Sequence, residues 1–391
     1  MSRGRLAVAG ALFAAALALR PQLVGIGPLI PRIQSDLDLS HAVAGLLGTI
    51  PVLCMGLFAP PSRPLARRFG SRVAVAMALG LIAVFGVARG LVPGAVAVII
   101  LTIPIGVGMG LAGALLPVAV KERFPHRPAF ATGVYATGIS TGAAISAAIA
   151  APLAGALSGW QGPLIVFSAF TAFLVPIWLR FMDDRPSVEA APGIRSLPWA
   201  STLVWRLVAV FGLMSITYYG LNAWLPDSYV ERGWSESRAG ALLAVINVAS
   251  LPPTLIVPWL ADRGRSRRTY LLGGGSALVV GVLGVVLVPS GGWAWAVVIG
   301  AAFGALFPLI LTLPLDLADR PEHVGAVAAM MLGAGYTLSG TAPFVLGAVR
   351  DATGSFTTAL WLLVVAASLL LALCIPLSPR RLRANVIAPA P

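Results

Sequence analysis

One arginine lies where a membrane-spanning segment does not tolerate charge without a use for it. Arg20 sits inside the apolar run LAVAGALFAAALALRPQLVGIGPLIP, residues 6–31. It is about fourteen residues from the start, hence roughly 21 Å along a helix and near the middle of a hydrocarbon core about 30 Å thick. An arginine at that depth costs about 2.5 to 3.5 kcal/mol on insertion scales, so such residues face a bundle interior or a watery cavity and mark solute paths. The guanidinium stays charged when buried, and its planar fork donates paired hydrogen bonds to carboxylate, nitrate-like or nitro oxygens. All 14 acidic residues fall in loops or at the ends of apolar runs. No carboxylate therefore stands at Arg20's depth, and a bound anion is the natural counter-ion. The competing assignment is structural, with Arg20 donating to backbone carbonyls of a neighbouring broken helix.

A second set of polar residues lies in the other half of the chain. Ser215 occupies the position that a repeat described below pairs with Arg20, and Tyr219 and Asn222 follow it at i+4 and i+7 on one helix face. Tyr218 replaces Tyr219 on that face if the helix is rotated slightly. Asn247, Tyr135, and Tyr336 with Thr337 lie mid-run in later or earlier apolar segments and are further candidates to hydrogen-bond a ligand. For each alone, a helix-to-helix hydrogen bond worth about 0.6 kcal/mol explains the residue equally well.

Catalytic chemistry finds no foothold. The three histidines, His41, His126 and His323, sit in loops or at a run's edge, so spacing assembles no metal cluster, and neither a metal nor an organic cofactor is expected. The GVGMG glycines lie inside an apolar run rather than after a strand, and no Walker loop exists, which disfavours nucleotide chemistry and ATP-driven transport. Cys54 and Cys374 lie within apolar runs and read as small core residues.

The elements that must position these residues follow from composition. The chain is 58% hydrophobic and 10% charged, against about 25% charged in soluble domains, so it is read as an integral membrane protein. Mean hydropathy is +0.91. Apolar runs punctuated by charge, Pro and Gly give twelve spans, near 6–30, 42–60, 73–92, 94–120, 130–157, 162–181, 202–225, 239–260, 270–289, 293–315, 324–349 and 356–377. The longest polar interruption, at 183–199, separates six spans from six. The expected organisation is an N-terminal six-helix bundle at 1–182, a cytoplasmic linker at 183–200 and a C-terminal six-helix bundle at 201–391. The basic N-terminus ahead of an Ala-rich run could mimic a signal peptide, but the repeat pairs that run with a later span, so it is kept as span one.

The net charge of +13 suggests nucleic acid until its distribution is read. With the N-terminus in the cytoplasm, Arg32, Arg89, Arg232, Arg238 and Arg350 fall outside and Arg20 within the membrane; the remaining 21 of 27 basic residues fall inside. That bias in short loops places both termini in the cytoplasm and removes the need for a polyanionic partner. The expected partners are the lipid bilayer and a small anion.

Two halves also repeat. At an offset of 195, Gly25, Pro31, Ser40 and Gly45 match Gly220, Pro226, Ser235 and Gly240; at 191, Gly113, Pro117, Gly142 and Pro152 match Gly304, Pro308, Gly333 and Pro343. Two similar six-helix halves that start on the same side are related by an axis along the membrane normal. The small-residue spacings of spans four, five and eleven permit tight helix contact, which rocking halves require.

After span two the chain reads PSRPLARRFGSR, and after span eight PWLADRGRSRR. These resemble the Gly/Asp/Arg loop of the major facilitator superfamily. The aspartate is kept only as Asp262, followed by Arg263; the first half has Arg67 there, followed by Arg68. In that family the loop helps to hold one access state, so Arg67 weakens the first-half version of that latch. LRPQLVGIGPLIPRIQSDLDLSHAVAGLL, AWLPDSYVERGWSESRAGALLAVINVASLPPTLIVPWLADRG and GALFPLILTLPLD are similar to the cyanate/2-nitroimidazole transporter family within that superfamily. The resemblance implies an all-α, twelve-helix carrier of the bacterial inner membrane, with Arg20 of the Leu-Arg-Pro motif as the binding residue for a small anionic or nitro-substituted solute. Alternating access between two rocking bundles is the expected mechanism. Coupling to an exchanged anion, facilitated movement and proton symport all stay open, although no acid or histidine is read in a span interior. Efflux of a nitroaromatic or drug-like compound is the alternative, and a non-transporting receptor is disfavoured because no sensor domain is visible in the chain.

Overall fold

In hydrocarbon, a segment with no water available must satisfy its backbone internally, and a helix does so within one span. The computed structural model describes residues 3–124, 128–183, 197–263, 267–317 and 321–377, and these are helical nearly throughout. In order they form α1 (Arg3–Leu17), α2 (Pro21–Val24), a 3-10 turn (Gly27–Leu29), α3 (Ile30–Leu37), α4 (His41–Leu57), α5 (Ser62–Leu91), α6 (Ala95–Arg123), α7 (Pro128–Ala156) and α8 (Gln161–Phe181). The second half has α9 (Thr202–Val230), α10 (Glu236–Asp262), α11 (Arg267–Leu287), a second 3-10 turn (Pro289–Gly291), α12 (Gly292–Leu317), α13 (Pro321–Gly340), α14 (Ala342–Thr353) and α15 (Phe356–Cys374). Eleven stretches are long and apolar enough to cross a bilayer, and the shorter α4 completes twelve spans. Span one is α1 to α3 and span eleven is α13 with α14.

The chain is an all-α membrane protein of two pseudo-symmetric six-helix bundles. In the first, α5 packs on α6 and α8, α1 on α7, and α4 on α6; in the second, α10 and α11 pack on α12, α11 and α9 on α15, and α9 on α13. The bundles meet where α7 faces α10 and where α4 faces α13 and α14.

Span one is the irregular element. Pro21 has no N–H to return to the turn before it, so the ladder of helical hydrogen bonds is interrupted there. The helix accordingly stops at Leu17 and restarts at Pro21, with Arg20 as the N-cap. Pro28 and Pro31 repeat the interruption, and the span runs on to Leu37, past the expected end at 30. In span three a short helical segment precedes the kink at Gly70, whose φ of +75° a side chain would resist; the helix resumes at Ser71, close to the expected 73, and the basic segment before the kink is itself helical from Ser62.

Arg89, counted on the outer side from the sequence, is fully buried near the end of α5. Its guanidinium donates to Thr102 Oγ1 at 3.1 Å and to the side-chain oxygen of Gln22. Gln22 in turn donates to the Leu164 carbonyl at 2.8 Å and to Ser168 at 2.5 Å. This buried polar set ties the segment just past the break to α5, α6 and α8. A hydropathy profile cannot separate such a residue from one at a loop edge, since both lie where the apolar signal fades.

Candidate functional site

The break in span one leaves Arg20 at the head of a cavity of about 290 Å³ between the bundles. Helices from both halves line it: Met55 of α4, Tyr135 and Ser140 of α7, Ser215, Tyr218 and Tyr219 of α9, Asn247, Ser250 and Thr254 of α10, Phe303 and Phe307 of α12, and Tyr336 of α13. Among the described residues that line it, Arg20 alone carries a charge. Its Nη1 donates to Tyr219 Oη at 3.2 Å, a hydrogen bond from one half to the other.

The cavity has a closed end and an open end. It extends from Arg20 past Pro117, Thr254 and Leu311, toward the end that carries the start of α5; the lining residues Gly113, Pro117 and Phe307 are exposed. At the opposite end the halves press together. Gly45 faces the Pro343 backbone, Gly27 faces the Asn222 carbonyl, and Gly240 faces Pro28, each with no room for a Cβ. The Phe344 N–H donates to Thr49 Oγ1 at 3.1 Å across the same seam.

Above Arg20 the walls are aromatic. Tyr218 stands edge-on to Tyr219 and to Phe303, with ring centroids 5.2 Å apart in both cases, and Tyr336 lies 6.4 Å from Tyr219. Such tilted arrangements bring ring edges against ring faces. Tyr218 Oη donates to Asn247 Oδ1 at 3.1 Å. The cavity therefore offers one cation, several hydroxyls, one amide and large polarisable apolar surfaces.

Of the residues singled out in the sequence, Arg20, Tyr135, Ser215, Tyr218, Tyr219, Asn247 and Tyr336 line the cavity. Asn222 and Thr337 do not. Asn222 is buried with its Nδ2 donating to the Tyr218 carbonyl at 2.7 Å, on the seam against the 3-10 turn. Thr337 donates to the Gly333 carbonyl at 2.8 Å and packs against Gly56 of α4. The helical face through Ser215 and Tyr219 turns out of the cavity before it reaches position 222.

Other lining residues went unread. Ser250 and Thr254 follow Asn247 at i+3 and i+7 and share its face, so the same spacing argument finds them. Met55, Met109, Met214, Phe303 and Phe307 carry no such signal, because an apolar residue facing a cavity and one facing lipid read alike in sequence. The loop residues stand at the open end. Arg67 and Arg68 are exposed on the first turns of α5, Arg68 beside the Phe69 ring. Arg263 lies over the Trp259 ring at 3.8 Å. Asp262 closes α10, and its side chain lies outside the described residues.

The model of the Major Facilitator Superfamily matches residues 6–343. The 2-nitroimidazole transporter of Escherichia coli (strain K12) is 31% identical over 362 residues, covering 92% of each chain. The cyanate transport protein CynX of the same strain is 30% identical over 346 residues, covering 87% of this chain and 89% of its own. A probable nitrate/nitrite transporter, NarK2 of Mycobacterium tuberculosis, is 26% identical over 364 residues, covering 88% and 89%. Among solved structures, a bacterial homolog to the human lysosomal transporter Spinster, inward-facing and unoccupied, superposes over the whole of both chains with a TM-score of 0.79 at 16% identity, a likeness of fold alone. The family match spans both bundles and the break at Arg20: the chain belongs to the Major Facilitator Superfamily of transporters, within the cyanate/2-nitroimidazole transporter family.

Proposed function

We propose that this transporter carries a small anionic solute, cyanate-like, nitrate-like or a small carboxylate, by alternating access, with Arg20 as its binding residue. The observation that carries the reading is the isolation of that cation: it heads a cavity shared by both halves, and among the described lining residues no carboxylate answers it. An anion bound there neutralises Arg20 while touching Tyr219 and its neighbours from the other half, so occupancy favours closure around the solute. The moving units are the halves 1–182 and 201–391, joined by a cytoplasmic linker at 183–200. The setting is the bacterial plasma membrane with both termini cytoplasmic, so the open end of the cavity faces the cytoplasm; Arg67, Arg68, Asp262 and Arg263 at that end serve the access states.

The names of three relatives concern 2-nitroimidazole, cyanate and nitrate or nitrite, small solutes whose oxygen or nitrogen atoms accept hydrogen bonds from a guanidinium. A second reading, movement of a nitroaromatic or similar drug-like compound, has its own support: four tyrosines, two phenylalanines and three methionines give the cavity more apolar wall than an ion of cyanate's size uses. The test is purified protein screened by thermal shift against cyanate, nitrate, small carboxylates and nitroimidazoles, followed by uptake into proteoliposomes under an anion gradient, a pH gradient or neither. Arg20→Lys keeps the charge and loses the fork, and it is expected to lose most anion binding. Transport of the anion by Arg20→Ala at the parent's rate overturns the proposal.

A further inference from the structure

The closed end of the cavity holds a titratable cluster that the substrate site does not use. His41, at the first turn of α4 in the first half, points into the second half. Its Nδ1 lies 2.7 Å from Asp351 Oδ1 of α14, and its Nε2 lies 3.7 Å from Asp227 Oδ2 of α9. The imidazole is held edge-on to Phe356, with ring centroids 5.5 Å apart, and tilted against Trp224 at 5.6 Å. The remaining charged groups around it are accounted for. Arg350 pairs with Glu231 at 2.5 Å beside Asp227; on α3, Arg32 pairs with Glu236 across the halves at 2.5 Å, Asp36 accepts from Trp160 Nε1 at 2.8 Å, and Asp38 is exposed at the helix end.

The hydrogen bonds fix the proton count. Asp351 accepts the backbone N–H groups of His41 at 3.0 Å and Ala42 at 2.8 Å, so it acts as an ionised acceptor with both oxygens engaged. The ring contact at 2.7 Å then requires the proton on Nδ1. In a neutral ring that leaves Nε2 as a lone pair facing Asp227, a residue 6% exposed whose Oδ2 has no hydrogen-bond partner. Two acceptors would face each other in a buried place. One added proton, on Nε2 or on Asp227, replaces that repulsion with attraction across a 3.7 Å gap, longer than a hydrogen bond but short enough for a charge pair.

We propose that His41, Asp227 and Asp351 form a proton-binding latch between the halves: the closed end takes up one proton as it shuts and releases it as it opens. The idea rests on the alternating access proposed above, but not on Arg20 or on any solute. Opening carries His41 away with α4 while Asp227 and Asp351 leave with α9 and α14, so the shared proton loses its second partner. Acid on that side favours the shut form. For a single linked proton the ratio of shut to open changes by at most about tenfold per pH unit. The nearby Arg32–Glu236 pair crosses the same seam and contains no histidine.

The test measures the gap directly, without substrate. Leu157 and Leu287 are exposed at this end on opposite halves. Spin labels at L157C and L287C, in full-length protein with Cys54 and Cys374 replaced by Ala and reconstituted in liposomes, report the distance by pulsed electron resonance between about pH 8 and about pH 5. The short-distance population is expected to grow as pH falls. D227N supplies the missing donor permanently and is expected to stay shut at every pH, whereas H41Q is expected to shift toward open and lose the pH response. Unchanged distances in the parent across that range overturn the latch, and so does a full pH response in D227N. Arg20→Ala in the same background is expected to keep the response while losing anion binding, which separates failure of this proposal from failure of the substrate site.

Discussion

Spans one and seven occupy repeat-related places, yet one is cut into α1, α2, a 3-10 turn and α3, while the other is a single helix from Thr202 to Val230. The proline ledger explains it. Pro31 has its counterpart in Pro226, but Pro21 and Pro28 correspond to Ile216 and Ala223, which continue a helix. The charge follows the break: Arg20 heads the restarted helix in one half, and Ser215 sits mid-helix in the other. Irregular backbone at membrane depth is tolerated where it lines a cavity or is buried in protein. One half therefore supplies a cation at a break in its helix, and the other a helical wall that carries hydroxyls and one amide. The break is held from behind, since α7 presents Gly138 and Gly142 to the carbonyls of Phe13 and Leu17 with no space for a Cβ.

That asymmetry sets a ranked series of tests. Arg20→Ala removes two charge-assisted hydrogen bonds to a bound anion, about 3 kcal/mol or more, and is expected to weaken anion affinity on the order of a hundredfold in a thermal-shift or equilibrium-binding titration. If Ser215→Ala costs as much, the division of labour between the spans is wrong. Tyr219→Phe deletes the 3.2 Å bond that Arg20 makes across the halves and is expected to cost about tenfold in affinity, with little change in folding.

Glycine pairs related by the repeat sharpen the contrast in stability rather than binding. Gly142 is pressed against the Leu17 carbonyl, while its counterpart Gly333 has only the Gly56 carbonyl at 3.9 Å; Gly304 is pressed against Ser250, while its counterpart Gly113 has open space. Gly142→Ala and Gly304→Ala are expected to destabilise by about 1–3 kcal/mol in thermal unfolding in detergent, and Gly333→Ala and Gly113→Ala by much less. Equal losses within a pair would mean the halves pack alike. The smallest effect is expected from Ser215→Ala and Thr337→Ala. The first loses one hydroxyl from a large cavity and the second lies outside it, so anion affinity should stay within about threefold of the parent.

Much of this was legible before any coordinates. Span number follows from the length of apolar runs, because the bilayer's thickness and its intolerance of unpaired backbone leave helices as the only reading for such segments. Arg20 stood out for the same reason, as a charge in the one solvent that penalises it. Its neighbour in consequence, Arg89, did not: it lies near a span end, where sequence position cannot tell a buried residue from an exposed one. Asn222 was grouped with Tyr219 by helical spacing, and the structure turns it toward the 3-10 turn, since a helix packed on two neighbours offers more than one buried face.

The sequence by itself determined the twelve spans, the two-half plan and the presence of one cation inside an apolar span, all of which depend on the chain's own periodicity against a fixed hydrocarbon thickness. Only the tertiary structure decided which polar residues share a cavity with that cation. It alone showed that Arg89 is buried, and that His41 meets carboxylates 186 and 310 positions away along the chain. Those facts depend on how two bundles rotate and press against each other, and no local pattern of residues encodes that contact.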